Sequence, residues 1–286
     1  MKKDKEILPL TNDAMMKMYF TREGNRDQLR QFLKASTHLT DNDLEVIEIK
    51  NPTLTKEQVM DKDFIVDINV TSKTGHMVHI EMQVQSHTNF KERVQSYNSR
   101  QYATQLKRGD DYVLLNESIS VIVVDFPMFD DTDEFYEHIA FRRENGKLFT
   151  TAQQLYIIDL TKIPAELNNN LQLWGALFNA GSQEDLAMIG EKNDEMRNAA
   201  AKLAELNDDQ DARELAEKRE LDRRWQRHHE RTLVEQGIEK GIEKGIERGI
   251  EQKAIEIAQN GIANGIGVEL LSSITGLSVD EIEKLK

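Results

Sequence analysis

Asp67 and Glu81 stand on two short segments that alternate apolar and polar residues, Phe64–Val70 and Met77–Val84. Such alternation is the mark of a half-buried strand. The segments are joined through Ser72, Lys73, Thr74 and Gly75. A three-residue loop of Lys73, Thr74 and Gly75, with Gly75 in the left-handed region, closes a hairpin symmetric about Thr74. Asp67 then falls opposite Glu81, Asn69 opposite His79, and Ile65 opposite Gln83. Val66, Ile68, Val70, Val78, Ile80, Met82 and Val84 point to the core. Asp67, Asn69, His79, Glu81, Gln83 and Gln85 share the other face.

Two carboxylates directly opposed across a hairpin lie about 5 Å apart at their Cβ atoms and repel if both stay charged. A shared proton, an intervening basic side chain or a bound cation relieves that repulsion. Hard oxygen ligands of this kind suit Mg²⁺ or Mn²⁺, with water completing the shell. A solvent-facing strand whose acids pair with nearby Lys or Arg fits the spacing equally well. His79 shares the polar face, either as a contact to substrate or metal or as a structural polar residue. His87 reads as loop, and His228 and His229 lie on a basic, solvated helix face within Arg219–Arg231.

The composition narrows the chemistry. There is no cysteine, so disulfide scaffolds, thiolate zinc sites and Cys nucleophiles drop out. His79 and Glu81 echo the spacing of zinc deaminases, but that chemistry also needs a Cys pair. A net charge of -14 argues against coating nucleic acid by bulk electrostatics. It leaves open an enzyme that meets phosphate locally through a cation. The N-terminal stretch is polar and lacks a secretory apolar core, and no apolar run is long enough for a membrane span. The expectation is a cytoplasmic protein with no membrane partner.

The elements that must carry the hairpin read as mixed α/β. Asn12 and its neighbours Thr11 and Asp13 supply capping side chains for a short helix over Ala14–Phe20, and a second helix fits Arg26–Ala35. Lys91–Leu106 reads as a helix with Val94, Tyr97, Tyr102 and Leu106 on its buried side. Val121–Phe126 reads as a strand buried on both faces. Further strands fit Ile139–Arg142, Lys147–Phe149 and Leu155–Leu160, the first two joined by a Glu144–Gly146 turn.

Three regions are expected: a core over residues 1–180, a charged helical region over 181–235, and a tail over 236–286. The tail opens with a four-residue repeat in which Gly237, Gly241, Gly245 and Gly249 are each followed by Ile-Glu. Each glycine costs about 1 kcal/mol of helix propensity relative to Ala. Close approach of another helix along the Gly and Ile columns offsets that cost and implies a homo-oligomer. A fraying linker is the alternative. A short helix–turn–helix closes the chain, with Ser278 and Glu281 as a capping box.

The hairpin, with Val66-Asp67-Ile68, the Gly75 turn and Ile80-Glu81-Met82-Gln83, resembles the catalytic hairpin of the PD-(D/E)XK nuclease superfamily. More narrowly, the chain resembles the Rpn family of recombination-promoting nucleases. Pro9 to Asp13 with Lys17 and Phe20 carries that resemblance at the start. Glu92, Arg93, Tyr97, Tyr102, Gly109 and Tyr112 carry it in the middle. The glycine repeats and Ile274 to Ser278 with Glu281 and Ile282 carry it in the tail.

The resemblance implies a restriction-endonuclease-like mixed sheet flanked by helices, followed by an α-helical C-terminal region. It implies a metal-dependent DNA endonuclease linked to recombination, transposition or mobile-element defence. Asp67 and Glu81 would hold Mg²⁺ or Mn²⁺, with Asp13 near the site from the first helix. Gln83 stands where the superfamily often has a catalytic lysine: an amide can orient water but carries no charge. Arg93 and Tyr97 fall where phosphate-facing side chains sit, or else serve as helix surface and core aromatic. A catalytically silent DNA-binding or self-assembling protein of the same fold is the competing expectation.

Overall fold

A computed structural model describes residues 6–50, 67–86 and 89–285. The expected strand residues Phe64, Ile65 and Val66, the Ile65–Gln83 pairing and the loop residue His87 lie outside them.

Asn12 opens α1 (Asp13–Thr21): its side chain accepts from the amides of Ala14 and Met15, two of the donors a helix start leaves unpaired. α2 (Arg26–Ser36) buries Leu29, Phe32 and Leu33 along one stripe. The sheet begins with β1 (Ile47–Ile49), β2 (Asp67–Ser72) and β3 (Met77–Gln83). The β2–β3 hairpin has the expected register, Asp67 opposite Glu81 and Asn69 opposite His79. Its turn closes as expected, with Ser72 and His76 hydrogen bonded around the three loop residues. Gly75 sits at φ +93°, a backbone conformation that a side chain would strain, so the turn favours glycine there.

After the hairpin come α3 (Phe90–Ala103), β4 (Ser118–Val124), β5 (Tyr136–Ala140) and β6 (Gln153–Asp159). The six strands described form one sheet in the order β1-β2-β3-β4-β6-β5. β3, β4 and β6 run parallel; the remaining pairs are antiparallel. All seven residues of β4 are buried, as a central strand covered on both faces requires. Arg142 and Leu148 form only an isolated bridge around the Gly146 turn, so the strand expected at Lys147–Phe149 is not built.

One face of the sheet, through Ile68, Val78, Ile80, Val121, Val123 and Ile158, packs on α1, α2 and the later helices. The other, through Ile122, Val124 and Ile157, packs on Phe90 and Val94 of α3. The buried side of α3 differs from expectation. Phe90, Val94 and Asn98 are buried, while Tyr97, Tyr102 and Leu106 are half-exposed. Asn98 turns inward because polar groups there need a partner. Its amide donates to Ser118 O, Ser120 Oγ and Gln154 O.

The chain continues through α4 (Asn170–Asn179), α5 (Gln183–Gly190), α6 (Asp194–Asp208), the long α7 (Gln210–Ala263), α8 (Val268–Thr275) and α9 (Val279–Glu283). Two compact units divide at residue 222. The boundary anticipated near residue 180 therefore falls inside the first unit. Leu186, Ile189, Met196, Leu203, Leu206 and Ala216 belong to the same core as the sheet. In the second unit, Ala258, Leu271 and Ile282 form a small core. α9 starts on the expected Ser278–Glu281 capping box. No helix among the described residues is long and apolar enough to cross a membrane.

Candidate active site on the β2–β3 hairpin

Strand alternation and the three-residue turn bring Asp67 and Glu81 to one face, opposite each other across the hairpin. Their surroundings differ. Asp67 is partly exposed, and its Oδ2 accepts from Asn69 Nδ2 at 3.0 Å and lies 3.1 Å from His79 Nε2. Burial alone would raise its pKa. The His79 hydrogen bond and charge, then Asn69 and the Lys17 charge, outweigh burial and hold the carboxyl below its ordinary range. Glu81 is only 1% exposed. Burial pushes its pKa up, opposed by the charges of His79 and Arg93 and reinforced by Asp67. Glu81 Oε1 accepts from Arg93 at 2.9 Å, while the buried Oε2 has no hydrogen-bond donor among the described residues.

The remaining expected residues are placed as follows. Gln83 lies two residues past Glu81 on the same face. Its Oε1 accepts from the same Arg93 nitrogen at 3.2 Å, and its Nε2 donates to Gln85 O. Arg93 is thus turned onto the acid and the amide. His79 is 7% exposed, and the Tyr97 ring meets it edge-on at 6.5 Å. Asp13, at the start of α1, is buried, and its Oδ2 accepts from Arg219 Nε at 3.2 Å and Nη2 at 3.1 Å. The adjacent Asn12 amide donates to Ala216 O, so two contacts fasten the start of α1 to α7.

Two participants were not assigned a role from sequence. Lys17, one turn after Asp13 on α1, is 1% exposed. Burial lowers its pKa, and the charge of Asp67 opposes that shift. A lysine in a short helix reads as surface. The sequence signal was its place in the segment from Pro9 to Phe20 that carries the family resemblance, which gave it no role. Arg100 is the second. It lines a cleft of about 260 Å³ with Asp67, Asn69, His79, Tyr97 and Gln101. Its spacing from Arg93 and Tyr97, seven and three residues, puts all three on one side of α3.

Among the described residues, no group of three or more His, Asp and Glu side chains is arranged to hold a metal. The donor set fits a hard cation of another kind. Mg²⁺ keeps several waters and takes one or two carboxylates. Glu81 Oε2, a buried carboxylate oxygen without a donor among the described residues, beside the second carboxylate of Asp67 is such a set.

No curated protein and no solved structure matches this chain. A family profile does, over residues 10–229, from the start of α1 into α7. That span holds the hairpin, α3 and the Asp13–Arg219 pair, and it takes in most of the chain: the protein belongs to the PD-(D/E)XK nuclease family transposases.

Proposed function

We propose that this protein is a divalent-metal-dependent DNA endonuclease that hydrolyses phosphodiester bonds in transposition, recombination or mobile-element defence. The observation that carries the reading is the cross-strand pairing of Asp67 with Glu81, one oxygen of the latter buried without a donor among the described residues. Asp67 and Glu81 would hold Mg²⁺, or Mn²⁺ in its place. A cation there supplies an activated water and screens the charge that builds on the scissile phosphate.

The chain's own residues have distinct tasks. Asn69 and His79 fix the Asp67 carboxylate, and Tyr97 braces the imidazole. Gln83 presents an amide beside Glu81 that can orient water but cannot take its proton. Lys17 brings to Asp67 the positive charge that Gln83 does not carry. Arg93 balances Glu81 and lies where a phosphate would draw it off the acid. Asp13 acts on position: held by Arg219, it sets where α1 delivers Lys17. The glycine and isoleucine columns of α7 join copies of the chain into a homo-oligomer.

The Arg93–Glu81 pair and the neutral Gln83 favour one competing reading, a catalytically silent DNA-binding protein. Nicking of supercoiled DNA by the purified protein across Mg²⁺, Mn²⁺, Ca²⁺ and chelator decides between them. Cleavage with Mg²⁺ or Mn²⁺ that stops in chelator supports the nuclease. Its absence under every metal selects the silent protein.

A further inference from the structure

Helix α3 and the turn after it carry a charge pattern that the hydrolytic chemistry does not use. From residue 91 to residue 108 the chain has Lys91, Arg93, Arg100, Lys107 and Arg108 against a single acid, Glu92. Five positive charges less one negative leave +4, in a chain whose net charge is -14. Asp110 and Asp111 follow, and each takes a backbone amide, Lys107 N and Val113 N respectively.

The five cations are not equivalent. Arg93 is bonded to Glu81 and Gln83, and Lys91 lies over the Phe129 ring at 4.6 Å. Arg100, Lys107 and Arg108 are exposed. None of these three is in an ion pair among the described residues. Arg100 stands two helical turns beyond Arg93, about 10 Å along the axis, at the cleft it lines with Asp67 and His79. Lys107 and Arg108 continue from the C-terminal end of the helix. Three solvated cations therefore follow one another along the chain, the first of them at the cleft.

We propose that Arg100, Lys107 and Arg108 form the track that grips the phosphate backbone of a DNA strand whose next phosphate reaches Asp67 and Glu81. This rests on the reading of the acid pair as facing nucleic acid. The overall negative charge does not oppose it. At physiological ionic strength, charges beyond about 8 Å are largely screened, whereas the three cations meet phosphate at contact. Local placement decides the sign of the interaction, and Arg100, which lines the cleft, is in no ion pair among the described residues.

The test uses the full-length protein, a fluorescently labelled random-sequence duplex, and binding measured by anisotropy over a range of salt, in Ca²⁺ and again in chelator. Each phosphate contact contributes about 0.9 to the slope of log affinity against log salt. The Arg100→Gln, Lys107→Gln, Arg108→Gln variant should lose about 2 to 3 from that slope and bind at least about ten-fold more weakly at low salt. A charge-matched control, Arg142→Gln, Arg143→Gln, Lys147→Gln, should keep the parent slope. Circular dichroism confirms that both variants fold. The parent slope in the track variant overturns the proposal, as does failure of the parent to bind DNA. Competition by polyglutamate as effective as by unlabelled DNA also overturns it, making the track a site for acidic peptide. Cleavage, scored separately in Mg²⁺, keeps the two readings apart. A nuclease whose track variant retains the parent slope loses only the track. A protein that cuts nothing but shows the slope change loses only the hydrolytic reading.

Discussion

Arg93 uses one nitrogen to hold both Glu81, at 2.9 Å, and Gln83, at 3.2 Å, so a single guanidinium spans the acid and the amide that stand two apart on β3. The sequence suggests repulsion between Asp67 and Glu81, which would make loss of either acid harmless or stabilising. The geometry reverses that expectation for Glu81. Removing it leaves a mostly buried guanidinium without its counter-charge. Glu81→Ala should cost about 1–3 kcal/mol of stability in chelator, by urea unfolding. Glu81→Gln, whose carbonyl can still accept from Arg93, should cost less. Both variants should lose cleavage. Parent-rate cleavage by either would remove Glu81 from the site.

Lys17 and Gln83 give a paired prediction about where the positive charge sits. Lys17→Met keeps the volume and removes a buried charge, so the fold should be as stable as the parent or more so. Cleavage should fall by about two powers of ten or more, while DNA binding stays as it was. Adding Gln83→Lys returns a charge to the same face two residues beyond Glu81. Partial recovery of cleavage in the double variant would mark the charge as the missing element. A Lys17→Met protein that cleaves normally would leave Lys17 as packing only.

The hairpin was readable because its information is local. Period-two alternation, a turn that needs Gly75, and a symmetric loop fix which residues face each other, and Asp67 meets Glu81 as expected. The α3 face was not readable in that way. Its buried side is chosen by the hydrogen-bond needs of Ser118, Ser120 and Gln154, which lie far along the chain and recruit Asn98 in place of an aromatic. The Asp13–Arg219 pair is likewise beyond sequence patterning, since 206 residues separate its members. Lys17 was hidden for a simpler reason: composition places lysine outside, and the charge of Asp67, which opposes the cost of its burial, becomes visible only in the fold.

Asp43 ties the loop after α2 to the hairpin turn and gives the fold a defined acid dependence. Its carboxylate accepts from the hydroxyl and amide of Thr40 and from Thr74 Oγ1. These bonds, led by those of Thr40, push its pKa from 3.8 down to about 2. A depressed acid stabilises the folded state above its unfolded pKa, and the benefit fades as pH falls through the folded value. Asp43→Asn should therefore be less stable than the parent at neutral pH. The gap between their urea midpoints should close as the pH drops from about 4 toward about 2. A gap independent of pH over that window would mean that the ionised form of Asp43 does not brace the turn.

The last prediction concerns the repeat in α7, where the described chain leaves two columns uncovered. A methyl group added at Gly237, Gly241, Gly245 or Gly249 meets nothing within 4 Å, and Ile238, Ile242, Ile246 and Ile250 are 58–66% exposed. In a lone helix, each Gly→Ala change should add about 1 kcal/mol of helix stability, since no neighbour objects to the methyl. If a second copy packs backbone to backbone along these columns, the same methyl groups hold the helices apart. Replacing all four glycines with alanine should then raise helix content on heating yet lower the mass measured by light scattering. Deleting residues 236–286 should lower that mass as well and leave the first unit folded. The two variants separate the causes, because the deletion removes the surface while the alanines keep its isoleucines and block only close approach. If the alanine protein gains helix stability and keeps the parent mass, the helices do not meet at the glycines. If the deletion also keeps the parent mass, the repeat has no part in association.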